Sequence, residues 1–131
     1  MPTTLDASAI QKIEDEAKKA PISEIASYLQ KHLGQKITAY LGGLKDIKEA
    51  GAWASKERNP RFEAEMRLRY AYQAAWMLVQ AYGDATAKTW FFGTNTRLND
   101  EAPAYILRNA KVPEDMRHVV PAARSFAGWT E

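Results

Sequence analysis

Between the breakers Asn59-Pro60 and Gly83-Asp84 lies the longest stretch of the chain free of glycine and proline, Phe62–Tyr82, which reads FEAEMRLRYAYQAAWMLVQAY. Leu68, Tyr72, Ala75, Trp76 and Val79 recur at helical spacing and make one apolar stripe. Phe62, Met66 and Tyr70 make a second stripe beside it. A helix that is apolar around so much of its circumference is buried by more than one neighbour. The pattern therefore predicts a central helix with one helical module packed before it and another after it, and Leu68, Tyr72, Trp76 and Val79 as its buried set. Arg61, Arg67 and Arg69 crowd its first turns, whereas its second half is nearly uncharged. The charged end is expected to face solvent or a partner, the other end to be core.

The flanking segments read as shorter helices. Ile10, Ile13 and Ala17 fit a helix capped by Asp6 or Ser8 and ended by Pro21. Ile22, Ile25, Leu29 and Leu33 mark a second, closed by Gly34. Two short helices follow, over residues 35–41 and 47–56, separated by Gly42-Gly43, with Asp46 as candidate cap of the latter. After the central helix come a helix over 84–92 closed by Gly93, an irregular loop to residue 102, and a helix over 103–109 opened by Pro103. Pro113 opens a last helix carrying Met116, Val119, Val120, Ala123 and Phe126, which Pro121 should kink or split. Alternating strand patterns are absent, so the expected fold is all-α, with about seven helices. Its parts are an N-terminal helical segment (1–34), a helix-turn-helix-like module with the central helix (35–82), and a small C-terminal helical module (83–131).

Composition narrows the function more than the fold. At 131 residues, 46% hydrophobic and 26% charged, the chain suits one globular domain. The lack of cysteine excludes a disulfide framework, a thiolate zinc site and a cysteine nucleophile. No apolar run is long enough to span a membrane and no signal peptide is visible, so a cytoplasmic location is expected. His32 and His118 are the only histidines, and neither has a ligand-like neighbour at helical spacing. No zinc-protease motif, serine triad order, phosphate-cradling glycine loop or dinucleotide fingerprint occurs. The acidic residues sit near Lys and Arg, as solvated ion pairs do. Neither enzyme chemistry nor a bound metal or cofactor is expected.

Binding is the remaining class. Short helix, glycine turn, short helix is the outline of a helix-turn-helix. Lys45, Lys48, Lys56, Arg58 and Arg61 around it are candidate DNA contacts, chiefly to phosphates, although a net charge of +2 gives little sequence-independent grip. The second short helix presents Lys48, Glu49, Gly51, Ala52 and Ser55, with no Arg, Asn or Gln placed for a bidentate base contact. Trp53 on the same helix is expected to be core. The consecutive Trp90, Phe91 and Phe92 cannot all face one core from a helix, so one of them should reach a surface or a partner. Asn95 and Asn99 are suited to shaping the following loop with Asx-type turns. Phe126 and Trp129 add aromatic side chains near the C-terminal end of the sequence, and Trp is among the commonest interface anchors.

Taken together, two stretches resemble the Xre/MbcA/ParS-type antitoxin family. Residues 43–80 are similar to its helix-turn-helix half, through Gly43-Leu44, Trp53, Pro60 and Arg67-Leu68-Arg69. Residues 87–110 are similar to its toxin-binding half, through Trp90-Phe91, Asn95, Leu98, Pro103 and Leu107, and Ala122-Ala123-Arg124 suits its last helix. The resemblance covers roughly residues 35–126. It implies the antitoxin of a type II toxin–antitoxin pair, neutralising a RES-domain toxin that consumes NAD by occluding its active site, and binding operator DNA to regulate its own operon. It also implies a homodimer or a higher toxin–antitoxin assembly. The NAD chemistry belongs to the toxin, so the antitoxin itself holds no cofactor. On this reading Trp90, Asn95, Arg97, Leu98, Phe126 and Trp129 are the toxin-binding residues. The alternative is a DNA-binding regulator of the Xre type with no toxin partner. The chain departs from the family at Gly51-Ala52, where a polar or basic residue often precedes the helix Trp, and at Pro121 in the last helix.

Overall fold

A computed structural model describes residues 7–128 of the chain. They form eight α-helices: α1 (Ala7–Lys19), α2 (Ile22–Leu33), α3 (Gln35–Gly42), α4 (Ile47–Ala54), α5 (Phe62–Tyr82), α6 (Asp84–Phe92), α7 (Pro103–Asn109) and α8 (Val119–Phe126). Two short 3-10 turns, Thr96–Leu98 and Pro113–Met116, join the last three. The fold is all-α, with no β-strand among the described residues.

Helix α5 is the axis of the fold and touches α1, α2, α3, α6, α7 and α8. One continuous core surrounds it, running from Ile10 to Ala127. Its most deeply buried line is Ala71, Ala74, Ala75 and Leu78, spaced three, four and seven residues from the first. Leu68, Tyr72 and Ala75 are buried as expected, but Trp76 and Val79 are only half-buried and Phe62 is 79% exposed. The small residues explain the rotation. Alanine lets a neighbouring helix approach closely, so the face with the least side chain is the face most tightly covered.

The first turns of α5 also correct the expectation of a solvent- or partner-facing end. Arg67 is 8% exposed. Its Nε and Nη2 donate to the carbonyl oxygen of Ala110 at 3.0 and 2.8 Å, and its Nη1 donates to that of Gly42 at 3.0 Å. Arg69 donates to the carbonyls of Ala17 and Ala20 at 3.2 and 2.8 Å. The last carbonyls of a helix have no partner within it. Arg67 therefore closes the C-terminal ends of α3 and α7, and Arg69 closes that of α1. Only Arg61 at this end points to solvent among the three.

Local signals set the other boundaries. The Asp46 carboxylate accepts the Lys48 amide at 2.9 Å and caps α4. Gly43, at φ +88°, adopts the left-handed conformation that ends α3. The last predicted helix is split, but at Arg117-His118 and not at Pro121. Pro113 opens a 3-10 turn, and Pro121 falls in the first turn of α8, where an amide hydrogen is not needed.

Two phenols, the half-buried Tyr28 and the buried Tyr72, tie α1, α2 and α5 together. The ring of Tyr28 meets that of Tyr72 edge-on at 5.1 Å, and the Tyr72 hydroxyl donates to Glu16 at 3.2 Å. Burial pushes the Tyr28 phenol far above its ordinary value, with Tyr72 and Asp84 adding to the effect. Burial first, and then the Glu16 carboxylate, raises Tyr72 to about 12. The folded state thus keeps protons that the unfolded chain gives up. Their contribution to stability is complete below about pH 10 and is lost as pH rises from there towards the folded values. Thermal melts across this range should show a steep alkaline fall in Tm. The fall should be shallower in Tyr28→Phe/Tyr72→Phe; an identical fall in both proteins would place its origin elsewhere.

Candidate partner-binding site

The loop between α6 and α7 is folded by its own side chains. Asn95 Oδ1 accepts the Arg97 amide at 2.9 Å, and Asn95 and Glu101 face each other across the loop as a single antiparallel bridge. Asn99 and Asp100 both take positive φ, 56° and 63°, which tightens the return of the chain. Leu98 is buried beneath and pins the loop to the core. The result is a firm turn that holds Arg97 outward.

Arg97 and Leu98 line a pocket of about 310 Å³ together with Tyr105 and Asn109 of α7 and Asp115 and His118 ahead of α8. Tyr105 stands exposed at its edge. His118 Nε2 accepts from Arg117 Nε at 2.9 Å, and Asp115 accepts the backbone amides of Lys111 and Val112 at 2.9 and 3.3 Å. Both groups are thus occupied in shaping the chain. Among the described residues no cluster of three or more His, Cys, Asp or Glu is placed to hold a metal ion, and no helix is long and apolar enough to cross a membrane.

The other candidate toxin-binding residues are placed differently. Trp90 is buried, with its ring edge-on to Phe91 at 5.2 Å, so it offers no side chain to a partner. Leu98, although it lines the pocket, is likewise a core residue. Phe126 is 47% exposed and does not line the pocket. It packs on Tyr82 at 5.4 Å, and its carbonyl accepts the Tyr82 hydroxyl at 2.8 Å. The length of α8 puts it roughly 10 Å from the pocket wall at Val119. Trp129 lies outside the described residues. Of the three consecutive aromatics, Phe92 reaches the surface and is 47% exposed. It meets Tyr40 at 5.6 Å in an apolar groove of about 410 Å³ with Ile37, Leu44 and Ile47. The run of three aromatics signalled such a residue; its position as the third follows from Trp90 and Phe91 filling the core.

Lys45, Lys48, Lys56, Arg58 and Arg61 are all exposed. Lys45, Arg58 and Arg61 line one depression, which Lys48 and Lys56 do not. Gly51 and Ala52 are half-buried. The Gln35 amide donates to the Ile47 carbonyl at 2.9 Å and lies over α4, where a side chain on Gly51 would meet it at 2.9 Å. Trp53 is core, as expected. Comparison of the chain with protein-family models, curated proteins and solved structures gave no match.

Proposed function

We propose that this chain is an antitoxin that docks on a RES-domain, NAD-consuming toxin and closes its active site with residues 83–131. The observation that supports it best is the self-folded loop at 95–101, which presents Arg97 at the rim of a pocket between α7 and α8. A turn already tied by its own hydrogen bonds loses little backbone freedom on docking, and Arg is enriched at interface hot spots. Inhibition by occlusion asks for shape and needs no reactive group. Arg97, Phe126 and Trp129 are the residues assigned to the contact; Asn95 and Leu98 set the loop, and Trp90 supports it from the core.

The test is co-expression with the product of the adjacent gene, scored by growth and by cellular NAD. The intact chain should protect both. Arg97→Ala and removal of residues 129–131 should each lose protection without lowering Tm, and Trp129→Ala should reproduce part of the second loss. The cut belongs at 129: starting at residue 125 would also remove Ala127, which is buried, and the Tyr82–Phe126 pair. Full protection by both altered chains would remove this face from the mechanism. Failure of the intact chain to protect would remove the antitoxin reading.

The second reading, a DNA-binding regulator without a toxin, is favoured by the exposed cations around the α3–α4 turn. The half-buried Gly51 and Ala52 leave α4 little with which to read bases, so such binding would rest on phosphates and weaken steeply with salt.

A further inference from the structure

The α3–α4 turn, the 55–61 connection, the start of α5 and the end of α7 enclose an open depression of about 970 Å³. Six cationic side chains line it, Lys45, Arg58, Arg61, Arg67, Arg108 and Lys111, against three carboxylates, Asp46, Glu49 and Glu63. The carboxylates are already engaged. Asp46 caps α4, Glu49 pairs with Arg58 at 3.2 Å, and Glu63 pairs with Arg67 at 3.2 Å. Arg67 and Arg108 are spent on backbone: Arg108 Nη1 donates to the carbonyls of Tyr40 and Leu44 at 2.9 and 3.1 Å, with its guanidinium over the Tyr40 ring. Lys45, Arg61 and Lys111 remain, exposed and without an ion pair among the described residues.

Lys111 lies far along the chain from Lys45 and Arg61, yet all three line one concavity. Unpaired charge of one sign in a concave, low-dielectric surface focuses the field and concentrates the opposite ion. Several cations around one bowl match an anion with its charges in a row, and Lys and Arg are the usual phosphate binders. The volume is that of a small-ligand site. We propose that this depression binds a phosphate chain carried by a compact ligand, either a nucleoside polyphosphate or an inorganic polyphosphate, held by Lys45, Arg61 and Lys111. Lys111 enters from the end of α7, outside the helix-turn-helix-like segment, and is invisible to a search for local charge clusters. The proposal does not rest on the antitoxin reading, since neither Arg61 nor Lys111 lines the Arg97 pocket.

The experiment is calorimetric titration of the full chain with inorganic tripolyphosphate and, separately, with adenosine triphosphate at low salt. Arg61→Ala and Lys111→Ala should each weaken binding about tenfold, as loss of a charge-assisted contact does. Lys48→Ala and Lys56→Ala remove the same charge from surface outside the depression and should change affinity by less than about twofold. All four side chains are exposed, and an unchanged Tm confirms folding; should Arg61→Ala fail to fold, Lys45→Ala takes its place. Tighter binding of adenosine triphosphate assigns a nucleoside polyphosphate, and equal or weaker binding assigns the bare chain. Absence of saturable binding of either probe overturns the proposal. So do control variants that weaken binding as much as Lys111→Ala, because the effect is then diffuse surface charge. Duplex DNA that binds through Lys111 without competition from tripolyphosphate overturns it as well.

Discussion

Arg67→Met should lower the unfolding free energy by about 3–5 kcal/mol, the range for removing one partner of a buried charged network. The expectation follows from what the side chain leaves behind. Ala110 and Gly42 present carbonyl oxygens at the ends of α7 and α3, and the guanidinium reaches both from α5. Methionine fills much of the volume but donates nothing, and each buried carbonyl stranded this way costs about 1–3 kcal/mol. The ion pair with Glu63 is a minor part, because Glu63 is half exposed: Glu63→Gln should cost no more than about 0.5 kcal/mol. Arg67→Lys should recover only part of the loss, since an ammonium lacks the planar fork that spans two helix ends. Chemical denaturation with an unchanged m-value gives the number. A cost below about 1 kcal/mol for Arg67→Met would mean that water replaces the guanidinium at both carbonyls.

Trp53→Ala should cost about 3–5 kcal/mol, as large aromatic truncations in a core do. Trp53 is 2% exposed, and its ring lies so close to Gly42 that a Cβ there would meet it at 2.7 Å. Helix α3 is therefore seated on the indole, and a cavity at Trp53 undermines the α3–α4 pair. Gly42→Ala probes the same contact from the other side and should cost about 1–3 kcal/mol through overpacking. Trp76, which the apolar stripe of α5 marks as core, is half-buried; its truncation should cost nearer 1–2 kcal/mol on the area it covers. Urea melts of Trp53→Ala and Trp76→Ala, run side by side, decide the ranking, and equal costs would restore the stripe as the guide to the core.

Those two tryptophans show how far a single sequence reaches. Helix type, the bounds of α5, α6 and α7, the Asp46 cap and the Asx turn at Asn95 were legible because each depends on neighbours within a few residues. Which face of α5 is buried deepest was not, because alanine carries a weak hydrophobic signal yet allows the closest packing. The role of Arg67 and Arg69 was hidden for another reason. The carbonyls they close belong to helices tens of residues away, so the arginines look like a charged surface when read along the chain. The candidate sites follow the same division. The turn that carries Arg97 was legible, whereas Arg108 and Lys111 join Lys45 and Arg61 only through the fold.

The way α5 is wrapped has a consequence during synthesis. Helix α8, against which α5 packs most extensively, follows the other seven described helices in the sequence, and Arg124 on it reaches back to Glu14 on α1 at 3.2 Å. Until residues 119–127 leave the ribosome, α5 lacks the neighbour it packs against most, and the Arg124–Glu14 pair between α8 and α1 is unmade. A nascent chain that has not yet reached α8 is open to proteases and to self-association. Its resistance to proteolysis should arrive abruptly, with α8.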